Sequence, residues 1–156
     1  MIKENQKYLN RFHVVLDALV IYCSFCLSYY IRYICPLFKD IFPRFGYWRQ
    51  LWQYQGILLV LIPVYLILYA KFNLYKPKRF QNRTSEYANL IKANSIGMVF
   101  FFIYIIFMKI PHVSRSLQLM FYVLSMLLTI AERAAIRYAL AVSYTHLRAH
   151  ETSAHL

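Results

Sequence analysis

The chain has 156 residues, of which 60% are hydrophobic, 19% aromatic and only 15% charged, and its mean hydropathy is +0.41. This composition excludes an ordinary soluble domain, in which about 25% of the residues are charged. The net charge of +12 would suggest nucleic acid in a soluble protein. Here the cations lie at the ends of apolar runs and in one polar loop, where membrane topology accounts for them, so we expect no nucleic-acid partner.

Four apolar runs predict membrane-spanning helices, since a helix that crosses the hydrocarbon layer needs roughly 20 mainly apolar residues. The first run, FHVVLDALVIYCSFCLSYYI, has that length by itself, and the other three reach it with aromatic and long basic residues from their flanks. The predicted spans are residues 12–32, 54–71, 91–109 and 116–134. The alternative is a soluble protein, but four helices that are apolar all round would leave nothing amphipathic to cover them. We therefore predict an all-α membrane protein in which residues 1–141 form a four-helix up-down bundle.

The distribution of Lys and Arg predicts the orientation, because cytoplasmic loops carry an excess of both residues. The N-terminal segment, the second loop and the end of the fourth span together hold eleven Lys and Arg, against six in the first and third loops. We therefore expect both termini in the cytoplasm.

A group of polar residues is predicted to share one layer just below the cytoplasmic headgroups. A charged side chain inside a span costs about 2.5–3.5 kcal/mol, so Asp17, one to two turns inside the first span, is expected to pair with a cation of this layer. The candidate partners are Lys92, Arg133 and Arg137. The group is either a structural contact that sets the helix order or a binding site for an anionic lipid phosphate. Its members are Asp17, Lys92, Asn94, Glu132, Arg133 and Arg137.

The sequence shows no catalytic constellation. Its three glycines are scattered, which excludes a Gly-rich phosphate loop, and six acidic residues leave few groups for acid–base chemistry or for magnesium. Cys23 and Cys26 form a C-x2-C pair, but inside an apolar helix without a second pair we interpret them as small hydrophobic residues. We therefore assign no catalytic, cofactor-binding or metal-binding residue to this chain.

Three stretches, taken in order, carry a family resemblance. KENQKYLNRFHVVLDALVIYCSFCLSYYIRY has an early Asp in the first helix and an Arg-Tyr exit. LYAKFNLYKPKRFQNRTSEYANLIKAN has a Phe-x-Leu-Tyr-x-Pro-x-Arg turn, then an acidic residue and Ile-Lys-Ala-Asn. HVSRSLQLMFYVLSMLLTIAERAAIRY has Ser-Arg before the fourth helix and Glu-Arg with a later Arg at its end. Over residues 3 to about 141, the set resembles the N-terminal membrane module of the bacterial polyprenyl-phosphate hexose-1-phosphate transferases.

The resemblance implies a function for a longer protein in the bacterial inner membrane. Such enzymes transfer a hexose-1-phosphate from a UDP-sugar to undecaprenyl phosphate, which starts exopolysaccharide, capsule or O-antigen synthesis. Their catalytic part, with an Asp-Glu pair and magnesium, follows the four helices and has no counterpart here, so the resemblance implies an inactive anchor module of a truncated enzyme. The implied partners are the lipid bilayer, undecaprenyl phosphate and a second copy of the chain. A complete non-enzymatic membrane protein, such as a transporter or assembly subunit, is the competing class.

Residues 142–156, VSYTHLRAHETSAHL, differ in composition from the rest of the chain. The stretch SYTHLRAHET is similar to a translated sequencing-adapter peptide that ends many gene fragments, so we expect a non-native tail. His146 and His150 have the four-residue spacing that places two metal ligands on one helical face. A metal site and a targeting tail are therefore the alternatives.

Overall fold

The computed structural model describes residues 2–33, 54–75, 83–110 and 113–153, with side chains described for 11–33, 54–75, 84–110, 113–139 and 142. The described residues form four helices: α1 (Ile2–Tyr33), α2 (Gln55–Lys71), α3 (Arg83–Phe107) and α4 (Arg115–Ser153). No strand occurs in these four segments, so the predicted all-α class is confirmed.

Three of the helices contain a segment that is long and apolar enough to cross a membrane. These segments are Arg11–Tyr33 in α1, Thr84–Phe107 in α3 and Arg115–Ala139 in α4. The remaining helix, α2, is also apolar but has only 17 residues, about 26 Å at 1.5 Å per residue. The length and composition of the three long helices indicate a membrane protein.

Two helix ends coincide with residues in a left-handed backbone conformation. α2 ends at Lys71, and Asn73 follows with a φ of 59°. The next amide, that of Leu74, bonds back to the carbonyl of Tyr69 at 3.0 Å, which satisfies an otherwise free carbonyl of the last turn. α3 ends at Phe107 in a similar way, with a φ of 47° at Lys109.

The helices are arranged so that each packs on two neighbours. α1 and α3 both contact α2 and α4, so the four helices close into a ring in which α1 and α3 lie diagonally. α3 runs back along α2: the Asn89 amide donates to the Phe72 carbonyl at 3.3 Å, and further along, the Tyr69 hydroxyl donates to Asn94 at 3.2 Å. These two contacts fix which residues of α2 and α3 lie at the same level.

Aromatic rings from all four helices fill the centre of the ring. Phe25, Phe101 and Phe121 are fully buried, and their ring centroids lie 5.7 to 6.5 Å apart with edge-to-face geometry. Tyr65 of α2 joins them, 5.9 Å from Phe121. Such pairs add about 0.5–1.5 kcal/mol each beyond the area that they bury, so these rings hold the middle of the bundle.

The outward faces of the helices are apolar as well. On α3, Phe100, Ile103 and Phe107 are 53%, 55% and 79% exposed. A helix at the surface of a soluble protein places polar residues on its outward face. The outward face of α3 therefore fits hydrocarbon and not water.

Gly97 of α3 lies against the ring of Tyr65. A Cβ atom at this position would come within 2.6 Å of the Tyr65 Cζ atom. The ring has little freedom to move away, because Tyr65 is fully buried and its ring also contacts Tyr69 and Phe121. The absence of a side chain at Gly97 therefore sets how closely α2 and α3 approach.

We expect Gly97→Leu to lower the free energy of unfolding by about 1–3 kcal/mol, the usual cost of overpacking a core. Gly56→Leu is the matched control, because a Cβ at Gly56 meets nothing within 4 Å. Thermal unfolding of the purified protein in mild detergent measures both. Equal unfolding midpoints for Gly97→Leu and Gly56→Leu would contradict the close contact at Gly97. Adding Tyr65→Leu to the Gly97→Leu variant should restore part of the lost stability, because the two positions are in contact.

Candidate functional site

The centre of the site is an ion pair between α1 and α4. The Arg133 Nη2 atom donates a hydrogen bond to Asp17 Oδ2 at 2.6 Å, and the two side chains are only 1% and 0% exposed. Of the three cations considered for Asp17, the structure places Arg133 against it. The two opposite charges are buried together, which is the arrangement expected for ionised groups in an apolar surrounding. The other carboxylate oxygen of Asp17 and the Nε atom of Arg133 make no hydrogen bond with the described residues.

Arg133 also contacts the turn that follows α2. Its Nη1 atom donates to the Leu74 carbonyl oxygen at 3.4 Å, and its guanidinium lies 5.8 Å from the centroid of the Tyr75 ring. Burial raises the pKa of the Tyr75 phenol above its ordinary value, and the nearby negative charge of Asp17 raises that pKa further. Tyr75 is therefore a neutral phenol beside the ion pair.

A second ion pair lies one helical turn further along α4. Arg137 bonds to Glu86 of α3, and its guanidinium lies 5.6 Å from the ring of Tyr87. The Glu86 side chain is 4% exposed and the Arg137 side chain 21%. Because Arg133 and Arg137 are four residues apart, they share one face of α4, and from that face they join α4 to α1 and to α3.

Asn94 forms a polar contact between three helices, deeper along the same bundle. Its side-chain oxygen accepts hydrogen bonds from the Tyr69 hydroxyl of α2 at 3.2 Å and from the Ser125 hydroxyl of α4 at 3.4 Å. Its amide nitrogen donates to the Leu90 carbonyl at 3.0 Å. Asn94 is fully buried, and these bonds satisfy its polar atoms within the bundle.

The predicted group of six does not come together as a whole. Asp17, Asn94 and Arg133 are buried, and Arg137 and Glu132 are half-buried. Lys92 is exposed, so its predicted place in the buried layer is wrong. The reason is helical geometry: two residues correspond to about 200° of rotation at 3.6 residues per turn, so when Asn94 points inward, Lys92 points outward.

Three contacts of the site involve residues that the sequence analysis did not assign to it: Glu86, the Leu74 carbonyl and Tyr75. For Glu86 a signal was present, since the buried positions 86, 90, 93, 97 and 101 of α3 repeat with helical spacing. Glu86 therefore belongs to the inward stripe of its helix. The contacts of Leu74 and Tyr75 depend on the turn after α2, for which no periodic pattern exists.

The arrangement is suited to holding helices together, because its ion pairs join α4 to α1 and to α3. Two of the three carboxylates of this region, those of Asp17 and Glu86, are bonded to arginine side chains. In the part of the chain whose side chains are described, no three His, Cys, Asp or Glu residues come together as metal ligands. The side chains of His146 and His150 lie outside that part. The family resemblance implies magnesium only for the catalytic part of the complete enzyme, so we derive no step through a metal here.

In comparisons with known proteins, no protein-family model, no curated protein and no solved structure matches the chain.

We expect Asp17→Leu and Arg133→Leu each to lower the free energy of unfolding by about 3–5 kcal/mol, because each leaves a buried charge without its partner. The double variant Asp17→Leu/Arg133→Leu should recover most of this loss, since apolar side chains replace both charges. Unfolding of the purified protein, titrated with denaturing detergent, measures all three variants. A double variant with the summed loss of the two single variants would show that the charges do not interact.

Glu86→Leu should cost less than Asp17→Leu, about 1–2 kcal/mol. Arg137 is 21% exposed, so after loss of Glu86 it can turn to water, which Arg133 cannot do. The same titration provides the comparison, with Thr84→Leu, an exposed residue of the same helix, as the control. The ranking fails if Glu86→Leu is as destabilising as Asp17→Leu.

Proposed function

We propose that the chain is the membrane anchor module of a polyprenyl-phosphate hexose-1-phosphate transferase. The observation that carries the proposal is that residues of all three stretches with the family resemblance meet in one site. Asp17 comes from the first stretch, Leu74, Tyr75 and Glu86 from the second, and Arg133 and Arg137 from the third. Motifs that are distant in sequence thus form one structural unit, and this convergence supports the proposal.

In this proposal all four helices span the bacterial inner membrane, in an up-down order with both termini in the cytoplasm. Support for the fourth span comes from α2, whose 17 apolar residues lie at the lower end of the range of about 17–25 for a spanning helix. The excess of Lys and Arg in the second loop supports the orientation. The paired charges then lie near the cytoplasmic headgroups, at the end from which α4 leaves the bilayer.

The complete enzyme would transfer a hexose-1-phosphate from a UDP-sugar to undecaprenyl phosphate, with magnesium bound by a part that this sequence does not contain. The residues of this chain bind the bilayer, fix the order of the helices and hold α4 in place. A second candidate is a non-enzymatic membrane protein, such as a transporter or assembly subunit. It is favoured by the pairing of Asp17 and Glu86 with arginines, because that pairing joins helices in any membrane protein.

We expect the chain by itself to insert into membranes and to transfer no sugar phosphate. Incubation of the purified protein with a UDP-sugar, magnesium and undecaprenyl phosphate, followed by analysis of the lipid extract, tests the second part. Formation of the sugar-pyrophosphate lipid by this chain would overturn the assignment as an anchor.

The genomic reading frame after the codon of Ala141 separates the two candidates. The transferase proposal predicts that the frame continues into a cytoplasmic catalytic domain of a sugar transferase. An in-frame stop directly after this codon would instead favour the non-enzymatic protein.

A further inference from the structure

The buried pair of Arg133 and Asp17 has one hydrogen bond between its members, although both groups can form more. The Nη2 atom of Arg133 donates to Asp17 Oδ2 at 2.6 Å, and the Nη1 atom donates to the Leu74 carbonyl at 3.4 Å. The Nε atom of Arg133 and the Oδ1 atom of Asp17 are also buried, but they make no hydrogen bond with the described residues. Buried charged groups are costly to leave without hydrogen bonds, so we expect both atoms to have a partner.

These two atoms flank the same hydrogen bond. A guanidinium is planar and presents its N–H groups in a fixed fork. The Nε–H group points from the same edge as Nη2, which is bonded to Asp17, whereas Nη1 points to the other side, where Leu74 lies. Oδ1 is the neighbour of Oδ2 in the carboxylate. A bidentate pair would use both donors of this edge, so here half of the fork is formed and the other half is open.

The Tyr75 hydroxyl is a third buried polar atom near the pair. It makes no direct hydrogen bond with the described residues. The Tyr75 ring nevertheless lies 5.8 Å from the Arg133 guanidinium. The Asp17 carboxylate is close enough for its charge and its hydrogen-bonding capacity to raise the pKa of the Tyr75 phenol. Polar groups that lie near each other without a direct bond are often bridged by water.

The chemistry of the three atoms restricts what could bridge them. The carboxylate oxygen only accepts hydrogen bonds, the Nε–H group only donates, and the phenol does both. An anion would be repelled by Asp17 and a cation by Arg133. The bridge must therefore be neutral and must both donate and accept, which describes a water molecule. Buried water in proteins typically makes about three hydrogen bonds to polar groups that would otherwise be unsatisfied.

We propose that one ordered water molecule binds between Arg133, Asp17 and Tyr75. It accepts a hydrogen bond from Arg133 Nε–H and donates one to Asp17 Oδ1 and one to the Tyr75 hydroxyl oxygen. The water completes the hydrogen bonds of both charges and joins the turn after α2 to the pair that links α1 and α4. The proposal rests on the geometry of the ion pair and is independent of the assignment to a transferase.

The test is the nuclear Overhauser effect between water and the Hε proton of Arg133, measured by NMR on the full chain in mild detergent. In the rotating frame, a bound water gives a cross-peak of opposite sign to one that arises from proton exchange. We expect such a cross-peak at the water frequency. Its absence would overturn the proposal, and so would a peak with the sign of exchange alone.

Tyr75→Phe removes the third partner of the water and keeps the ring, so it should weaken the cross-peak. The matched control is Tyr87→Phe, because the Tyr87 ring lies 5.6 Å from the guanidinium of Arg137, in the second ion pair. It should leave the cross-peak of Arg133 unchanged. An equal effect of both substitutions, or no effect of either, would contradict the part assigned to Tyr75.

A second measurement needs no variant and therefore does not depend on whether Tyr75→Phe folds. In an experimental density map of the unsubstituted protein that resolves ordered water, we expect a peak at hydrogen-bonding distance, about 2.7–3.2 Å, from both Arg133 Nε and Asp17 Oδ1. A direct bond between these two atoms, with no peak beside them, would contradict the proposal.

Discussion

The buried pair of Arg133 and Asp17 constrains the whole bundle, because neither charge can exist alone in an apolar surrounding. Moving one of them without the other leaves an uncompensated charge, which costs several kcal/mol. The pair therefore fixes the register of α4 against α1. Since Arg133 also donates to the Leu74 carbonyl, the turn after α2 is bound to the same point, and α2 takes its place in the ring as a consequence.

The remaining contacts extend this constraint along and across the helices. One turn further along α4, Arg137 joins α4 to Glu86 of α3, so the second diagonal helix is fixed as well. The rings of Phe25, Phe101 and Phe121 fill the middle. Asp17 and Glu86 are thus bonded to Arg133 and Arg137 inside the bundle, whereas Lys71 and Lys92 are exposed.

The sequence predicted the helices better than their contacts. Long apolar runs depend only on composition, so all four helices could be predicted. The bounds of α2, the end of α1, the end of α3 and the start of α4 agree with the predicted spans to within two residues. The start of α1, the start of α3 and the end of α4 extend beyond the apolar runs. The partner of Asp17 could not be chosen, because Arg133 and Arg137 share one face of α4 and only the register against α1 distinguishes them. Lys92 was assigned to the wrong side because its charge was considered without the rotation between it and Asn94. The turn residues Leu74 and Tyr75 have no periodic signal at all.

Association of two half-chains tests most directly whether the buried pair holds the bundle together. Residues 1–78 and 79–156 are co-expressed as separate polypeptides, and the amount of the second half that co-purifies with the first from membranes is measured. We predict that the halves co-purify, that Asp17→Leu in the first half removes most of this association, and that Arg133→Leu in the second half restores much of it. Co-purification of the Asp17→Leu half at the level of the unsubstituted half would contradict the account.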